Sequence, residues 1–237
     1  GHPPFGLPQA RLFDGAGLVS LHSDFGNGSN DVIFNLRSTP YGAVSHGHND
    51  QNCFAIEAYG EPLAIATGHY NRYGSTHHSK WTRQTKAKCG ITVDGGIGQD
   101  RGWHAKGRIT AFVHGDAFDY VVGDATQAYG GRLDRAVREV VHARPGVYVV
   151  RDTLVSAEVR RFEYWLHAVD EMTVDSAAKV ITITRPKAEL QVSFLAPVAL
   201  EFSQTDAFDP PPTWPPDRTF QKNWHVTAVT PTPAKTA

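Results

Sequence analysis

Cysteine is scarce in this sequence, with two among 237 residues, Cys53 and Cys89. Two thiols cannot build a disulfide framework or a four-thiolate zinc site. Long apolar runs are missing too: none approaches the ~20 residues that a membrane span requires. Charge of one sign is absent, since 23 Lys and Arg stand against 24 Asp and Glu and leave a net charge of −1. No broad basic field is therefore available to hold nucleic acid or an anionic membrane. The opening Gly1-His2-Pro3-Pro4-Phe5-Gly6 has neither a charged n-region nor an apolar h-region, so no signal peptide is expected within the chain. No stretch carries a 3.6-residue apolar stripe of helix length.

What remains is strand. Short runs rich in Val, Ile, Thr, Tyr and Phe, separated by Gly, Asp, Asn or Pro, read as strands. They cover residues 17–23, 31–38, 53–59, 63–67, 89–94, 106–114, 118–123, 136–144, 147–155, 161–169, 179–184, 189–195 and 221–229. Arg144-Pro145-Gly146-Val147 reads as a hairpin turn. About a dozen short strands at regular spacing predict an all-β protein, a large antiparallel β-sandwich. With 41% hydrophobic residues the chain can bury a sizeable core. The sandwich is expected over residues 1–204. Residues 205–237 read as a Pro-rich extension that carries a last strand of the sandwich. Residues 230–237, rich in Thr, Pro and Ala, are expected to be loose.

The densest polar run is Ser45-His46-Gly47-His48-Asn49-Asp50-Gln51-Asn52, between two strands. On an extended segment His46, His48 and Asp50 point to one side. Two imidazoles on one face suit metal binding, proton transfer or neutralisation of a substrate carboxylate. They equally suit a polar loop that is solvated or bonded to backbone. A second stretch, residues 69–88, contains no Asp or Glu. It interleaves Arg72, Lys80, Arg83, Lys86 and Lys88 and three histidines with Tyr70, Tyr73 and Trp81. Cations mixed with flat rings fit a polyanion whose units also have apolar faces; uronate sugars and single-stranded nucleic acid both qualify. A loop of about 20 residues without a clear strand is unusual inside a compact domain and favours function. Cys53 and Cys89 read as small buried residues within strands.

Three familiar patterns do not fit. Asp94-Gly95-Gly96-Ile97-Gly98 lacks the Lys-Ser/Thr ending of a phosphate loop. His46-x-His48-x-Asp50 is followed by Gln51, where a metallo-β-lactamase-type hydrolase has His. A cupin glutamate should follow within a few residues, but the first is Glu57.

Taken together, Gly17-Leu18-Val19-Ser20-Leu21-His22-Ser23-Asp24, the block from Ser38-Thr39-Pro40-Tyr41 through His46-Gly47-His48-Asn49-Asp50-Gln51-Asn52, the Gly60-Glu61-Pro62-Leu63 turn and Tyr73-Gly74-Ser75-Thr76-His77-His78-Ser79-Lys80-Trp81-Thr82-Arg83-Gln84-Thr85-Lys86-Ala87 resemble the C-terminal half of the heparinase II/III-like polysaccharide lyases. The resemblance is closest to members with an uncharacterised helical N-terminal region, a group that includes alginate lyases. It implies a β-sandwich that packs in the whole protein against an N-terminal α/α toroid, with the active site in the cleft between them. It implies β-elimination on a uronate polymer such as alginate or a glycosaminoglycan, and an exported, periplasmic or secreted protein. Most of the catalytic groups come from the toroid, which this chain lacks, so the chain alone is expected to be inactive or nearly so.

By the same resemblance His46 is the catalytic residue that the sandwich contributes. Arg83 and Lys86 are expected to bind carboxylate or sulfate groups, and Tyr70, Tyr73 and Trp81 to shape or stack against the sugar. His77 and His78 complete the expected substrate-binding set. Arg83 is equally read as a structural ion-pair partner and Trp81 as core. His48 corresponds to a zinc ligand. The resemblance places an acid in residues 63–68 and a histidine in residues 86–90, but here the first segment has no acid and Lys88 stands at the histidine's place. Either the metal is absent, with Lys88 as a cationic substitute, or His69, His77, Asp50 or the missing domain completes the set. The alternative to a lyase part is a non-catalytic polysaccharide-binding or assembly domain of the same sandwich type.

Overall fold

The computed structural model describes residues 6–70, 72–195 and 199–237; residues 1–5, read above for a leader, lie outside it. Among the described residues the chain forms seventeen strands and four short helical turns. Strands β1 (Ala10–Phe13), β2 (Leu18–His22), β3 (Val32–Arg37), β4 (Cys53–Ala58) and β5 (Glu61–Ala64) make a sheet in simple consecutive order. After β6 (Ile91–Val93) come β7 (Arg108–His114), β8 (Phe118–Asp124), β9 (Arg135–Ala143) and β10 (Val147–Arg160), which pair in sequence as a second sheet. The remaining strands are β11 (Phe162–Ala168), β12 (Thr173–Asp175), β13 (Val180–Thr184), β14 (Glu189–Ser193), β15 (Glu201–Thr205), β16 (Trp224–Val229) and β17 (Ala234–Thr236). A third sheet runs β15-β16-β11-β6, a fourth β12-β13-β14, and β17 completes the edge of the second sheet beside β10.

All the paired strands are antiparallel, and alternation decides which face is buried. Val19 and Leu21 on β2, Phe34 and Leu36 on β3 and Ile56 on β4 point inward. They meet Val121 and Val140 of the second sheet, Leu166 and Val226 of the third, and Ile181 and Ile183 of the fourth in one core. Phe34 lies between Phe54 and Tyr148, with ring centroids 5.2 and 5.0 Å away. This is the antiparallel β-sandwich that the sequence predicts.

Three expectations need correction. Residues 230–237 are not loose: Ala234–Thr236 pairs with β10, and the Ala237 and Leu154 main chains exchange two hydrogen bonds. The division at residue 204 falls inside β15, which pairs along its length with β16, so the Pro-rich segment is a connection within one sheet. Residues 69–88 are not a plain loop. They contain a π-helical turn, His78–Thr82, closed by the Arg83 N–H donating to the His78 carbonyl, and a 3-10 turn, Thr85–Ala87. Local turns of this kind are too short to leave a periodic apolar stripe.

The same turns pack closely on the chain that leaves β5. Gly68 (φ +91°) permits this, because a Cβ there would lie 2.7 Å from both Trp81 and Thr82 side-chain atoms.

Candidate functional site

The polar run of residues 45–52 divides into an inner and an outer part. Asn49, Gln51 and Asn52 are buried. The Gln51 side chain accepts from the Thr39 N–H at 2.7 Å and donates to the Ala105 carbonyl at 3.0 Å. Its main chain exchanges two bonds with the Gln99 amide, at 2.8 and 2.7 Å. Asn52 donates to the Gly123 carbonyl at 2.9 Å. Thr85 Oγ1 donates to the Asn49 carbonyl at 2.8 Å and accepts from the Gln99 N–H at 2.9 Å. The Gln51 amide, with partners for both its oxygen and its nitrogen, is costly to break and fixes the base of the loop. Beneath them Arg138, 1% exposed, pairs through two nitrogens with Asp152 at 2.7 and 2.8 Å and donates to the Asn52 carbonyl at 2.6 Å.

The outer part is a turn, closed by the Gly47 N–H donating to the Val44 carbonyl at 2.7 Å. Ser45 has φ +49°, a left-handed conformation that a non-glycine residue adopts only under constraint. The constraint is visible. The Ser45 carbonyl accepts from Arg83 Nη2, from Arg101 Nη2 at 2.6 Å and from the Tyr73 hydroxyl at 3.3 Å. Arg101 Nη1 also donates to the Gly47 carbonyl at 2.9 Å. His46 sits between these two carbonyls, exposed, with its ring 4.9 Å from that of Tyr73. The turn overturns the extended geometry expected here. His46 lies at the tip, while His48 is half-buried with its ring 6.5 Å from His78. Burial, together with the Lys88 charge, pulls His48 down to about 4, so its imidazole is neutral at neutral pH.

The segment 69–88 presents two faces. On the His46 side lie Tyr70 and Tyr73, 58% and 49% exposed, and the Arg83 guanidinium, 5.2 Å over the Tyr73 ring. His78 is buried against both tyrosines. Its Nδ1 accepts from the Gly74 N–H at 2.9 Å, which assigns the proton to Nε2, and that buried atom has no protein partner. Burial and the nearby Arg83 keep this ring neutral as well.

The other face turns toward the Pro-rich connection. His77 is buried, accepts from the His69 N–H at 3.0 Å and donates to the Pro210 carbonyl at 2.7 Å. Lys86 Nζ donates to the Asp209 carbonyl at 3.0 Å and lies 5.2 Å over Trp81. Trp81 is 3% exposed, donates to Thr67 at 3.3 Å and packs on His225 and Phe208. Its ring is a core group here, not an open stacking surface, because the π-helical turn directs it inward.

The structure thus brings His46, His48, Tyr70, Tyr73, His78 and Arg83 together and sets His77, Trp81 and Lys86 apart. Sequence reasoning missed Arg101 and the exposed Trp103 and Tyr41, 70% and 65% exposed. They join the loop through a bridge between Ala43 and Gly102, a long-range pairing with no motif to announce it.

A zinc ion does not fit the donors present. Among the described residues no group of three His, Cys, Asp or Glu is placed to hold a metal ion. Lys88, at the position where the resemblance places a histidine, is buried, and its Nζ donates to the Thr82 carbonyl at 2.8 Å. An ammonium has three donors and no lone pair to offer a metal. Both cysteines are buried free thiols, and burial pushes the Cys89 thiol up to about 11.

An all-β antiparallel sandwich with this fold occurs in solved polysaccharide lyases. The heparan sulfate lyase HepC from Pedobacter heparinus matches with a TM-score of 0.75 and 15% identity over 100% of this chain and 38% of its own. A heparinase III matches with a TM-score of 0.71 and 16% identity over 97% of this chain and 37% of its own. The chain therefore spans little more than a third of the length of these enzymes. No curated protein matches it in sequence. The family model described as "Heparinase II/III-like, C-terminal" matches residues 6–232, and the chain belongs to that family.

Proposed function

We propose that this chain is the β-sandwich part of a polysaccharide lyase that cleaves a uronic-acid-containing polysaccharide by β-elimination. The observation that carries the reading is the presentation of His46: an exposed imidazole on a turn whose flanking carbonyls are both held by Arg101, beside two exposed tyrosine rings. In β-elimination a base removes the proton next to the carboxylate, the bond to the leaving glycosidic oxygen breaks, a carbon–carbon double bond forms and an acid protonates the oxygen. His46 serves as acid/base partner or neutralises the carboxylate as negative charge develops. Tyr70 and Tyr73 lie against the sugar, and His78, buried against both rings, supports them from beneath. Arg83 acts through the loop: its guanidinium is directed at Ser45 and Tyr73.

The remaining catalytic groups belong to an N-terminal α/α toroid of the same protein or of a partner chain. The substrate is alginate or a glycosaminoglycan, and heparan sulfate gains weight from the names of the structural neighbours. Such polymers lie outside the cytoplasm, which makes the protein periplasmic or secreted. The test is an ultraviolet assay for the unsaturated uronate product, run on the longest natural form of the protein against alginate, heparan sulfate, hyaluronan and pectate. Absorbance on one polymer, lost in His46→Ala, is the expected result. Polymer binding without product, unchanged by His46→Ala, would instead favour a non-catalytic binding domain.

A further inference from the structure

Beside the first sheet lies a cavity of about 150 Å³ lined by Leu18, Asn35, Arg37, Asp50, Ala66 and Lys88, among others. Its charged groups are already in order. Asp50 is paired with Arg37. Lys88, 6% exposed, attracts the same carboxylate and donates from Nζ to the Thr82 carbonyl at 2.8 Å. Ala66, in the segment where the family resemblance calls for an acid, offers a methyl group to this cavity.

We propose that Lys88 is the resident cation of this site, an ammonium standing where the resemblance places zinc, so that the domain holds its His48 loop without a metal. With Lys88 and Arg37 charged against Asp50 the site carries one excess positive charge, and burial already works against the charge on both Lys88 and Asp50. A divalent ion would add two more in a poorly solvated place, at a cost that no free carboxylate offsets. The ammonium answers the Asp50 charge and the Thr82 carbonyl, and its charge acts on His48. A metal would link the His48 loop to the segment before β6 through coordination bonds. Here the Lys88 charge acts on Asp50 of that loop across the cavity they both line, while its Nζ is anchored to the Thr82 carbonyl of its own segment.

The inference rests on the family resemblance and not on the lyase reading, and its test reads metal content, not turnover. The purified protein is dialysed with zinc, then freed of unbound metal and assayed by elemental analysis. Its melting temperature is recorded with zinc and with a chelator. The expected result is no stoichiometric zinc and a transition unmoved by either addition. One tightly held zinc per chain, with a transition lowered by the chelator, would overturn the proposal. The double variant Ala66→Asp, Lys88→His restores an acid and an imidazole at the two positions facing the cavity. It is expected to bind one zinc per chain and to melt several degrees higher when zinc is present. A double variant that folds but takes up no zinc would show that Lys88 does not occupy the cation's place. Should it fail to fold, the unsubstituted protein decides.

Discussion

Arg101 grips the main chain on both sides of His46, through the Ser45 carbonyl at 2.6 Å and the Gly47 carbonyl at 2.9 Å. An imidazole that must meet a substrate atom gains from this, since a misplacement of about 1 Å can cost roughly a hundredfold in rate. Arg101→Ala is accordingly expected to lower kcat by about a hundredfold on the cleaved polymer, with a smaller effect on KM. Steady-state kinetics on the full-length protein check this. An equal loss confined to KM would make Arg101 a substrate-binding group and not a positioning one.

His46 is exposed and makes few contacts, so His46→Ala should change stability by no more than about 0.5 kcal/mol while abolishing product formation. Tyr73→Phe separates the ring from the hydroxyl. It removes one of the donors to the Ser45 carbonyl and keeps the surface beside His46. A partial loss of kcat with unchanged polymer affinity is expected, measured by the ultraviolet assay and by calorimetric titration.

The strands were legible wherever alternation met a buried face. Residues 179–184 and 53–59 fall within a residue of β13 and β4, because Ile181 and Ile183 on one, and Phe54 and Ile56 on the other, must reach the core. Edge strands were not: Ala10–Phe13 and Ala234–Thr236 carry no strong pattern and are strands because a neighbour supplies their hydrogen bonds. In the site, polar density singled out residues 45–52, but the side to which each residue points was not readable. One positive φ at Ser45 breaks the two-residue period. Arg101 was invisible because a bridge between distant segments puts it there.

Acid should destabilise this domain through neutral histidines. Burial lowers His225 to about 4, and His167, bonded to it at 3.0 Å, is held well below its ordinary value by burial and the neighbouring ring. An unfolded histidine takes up its proton near pH 6.5 while these stay neutral. The unfolded state therefore binds more protons, and stability falls as pH drops below about 6.5, by about 1.4 kcal/mol per pH unit for each such group. For His225 the slope ends near pH 4, where the folded state also protonates. Urea unfolding at several pH values measures the slope, and His225→Asn should make it shallower.

The buried Arg138–Asp152 pair predicts a large effect at a distance from the loop surface. Asp152→Ala leaves a guanidinium that is 1% exposed with no carboxylate. Stranding a buried charge costs about 3–5 kcal/mol, and Arg138 also holds the Asn52 carbonyl at the base of the His46 loop. The expected outcome is a loss of that size in denaturant unfolding. The double variant with Arg138→Met should recover much of it, as removal of both charges leaves nothing unpaired.

Trp81 and Tyr73 make opposite predictions although one sequence segment carries both. Trp81 is 3% exposed and packs on His225 and Phe208, with its indole N–H on Thr67. Trp81→Ala would open a cavity and is expected to cost about 3–5 kcal/mol of stability. Trp81→Phe, which keeps most of the packing, should leave polymer affinity unchanged. Tyr73 has its ring about half exposed beside His46, so Tyr73→Ala should cost little stability and weaken polymer binding several-fold. Unfolding curves and calorimetric titration with heparan sulfate and alginate, on the same four proteins including the parent, separate the two. A Trp81→Phe protein of parental stability that binds polymer several-fold more weakly would mean that the indole does face sugar in the whole enzyme, and that the π-helical turn rearranges when substrate binds.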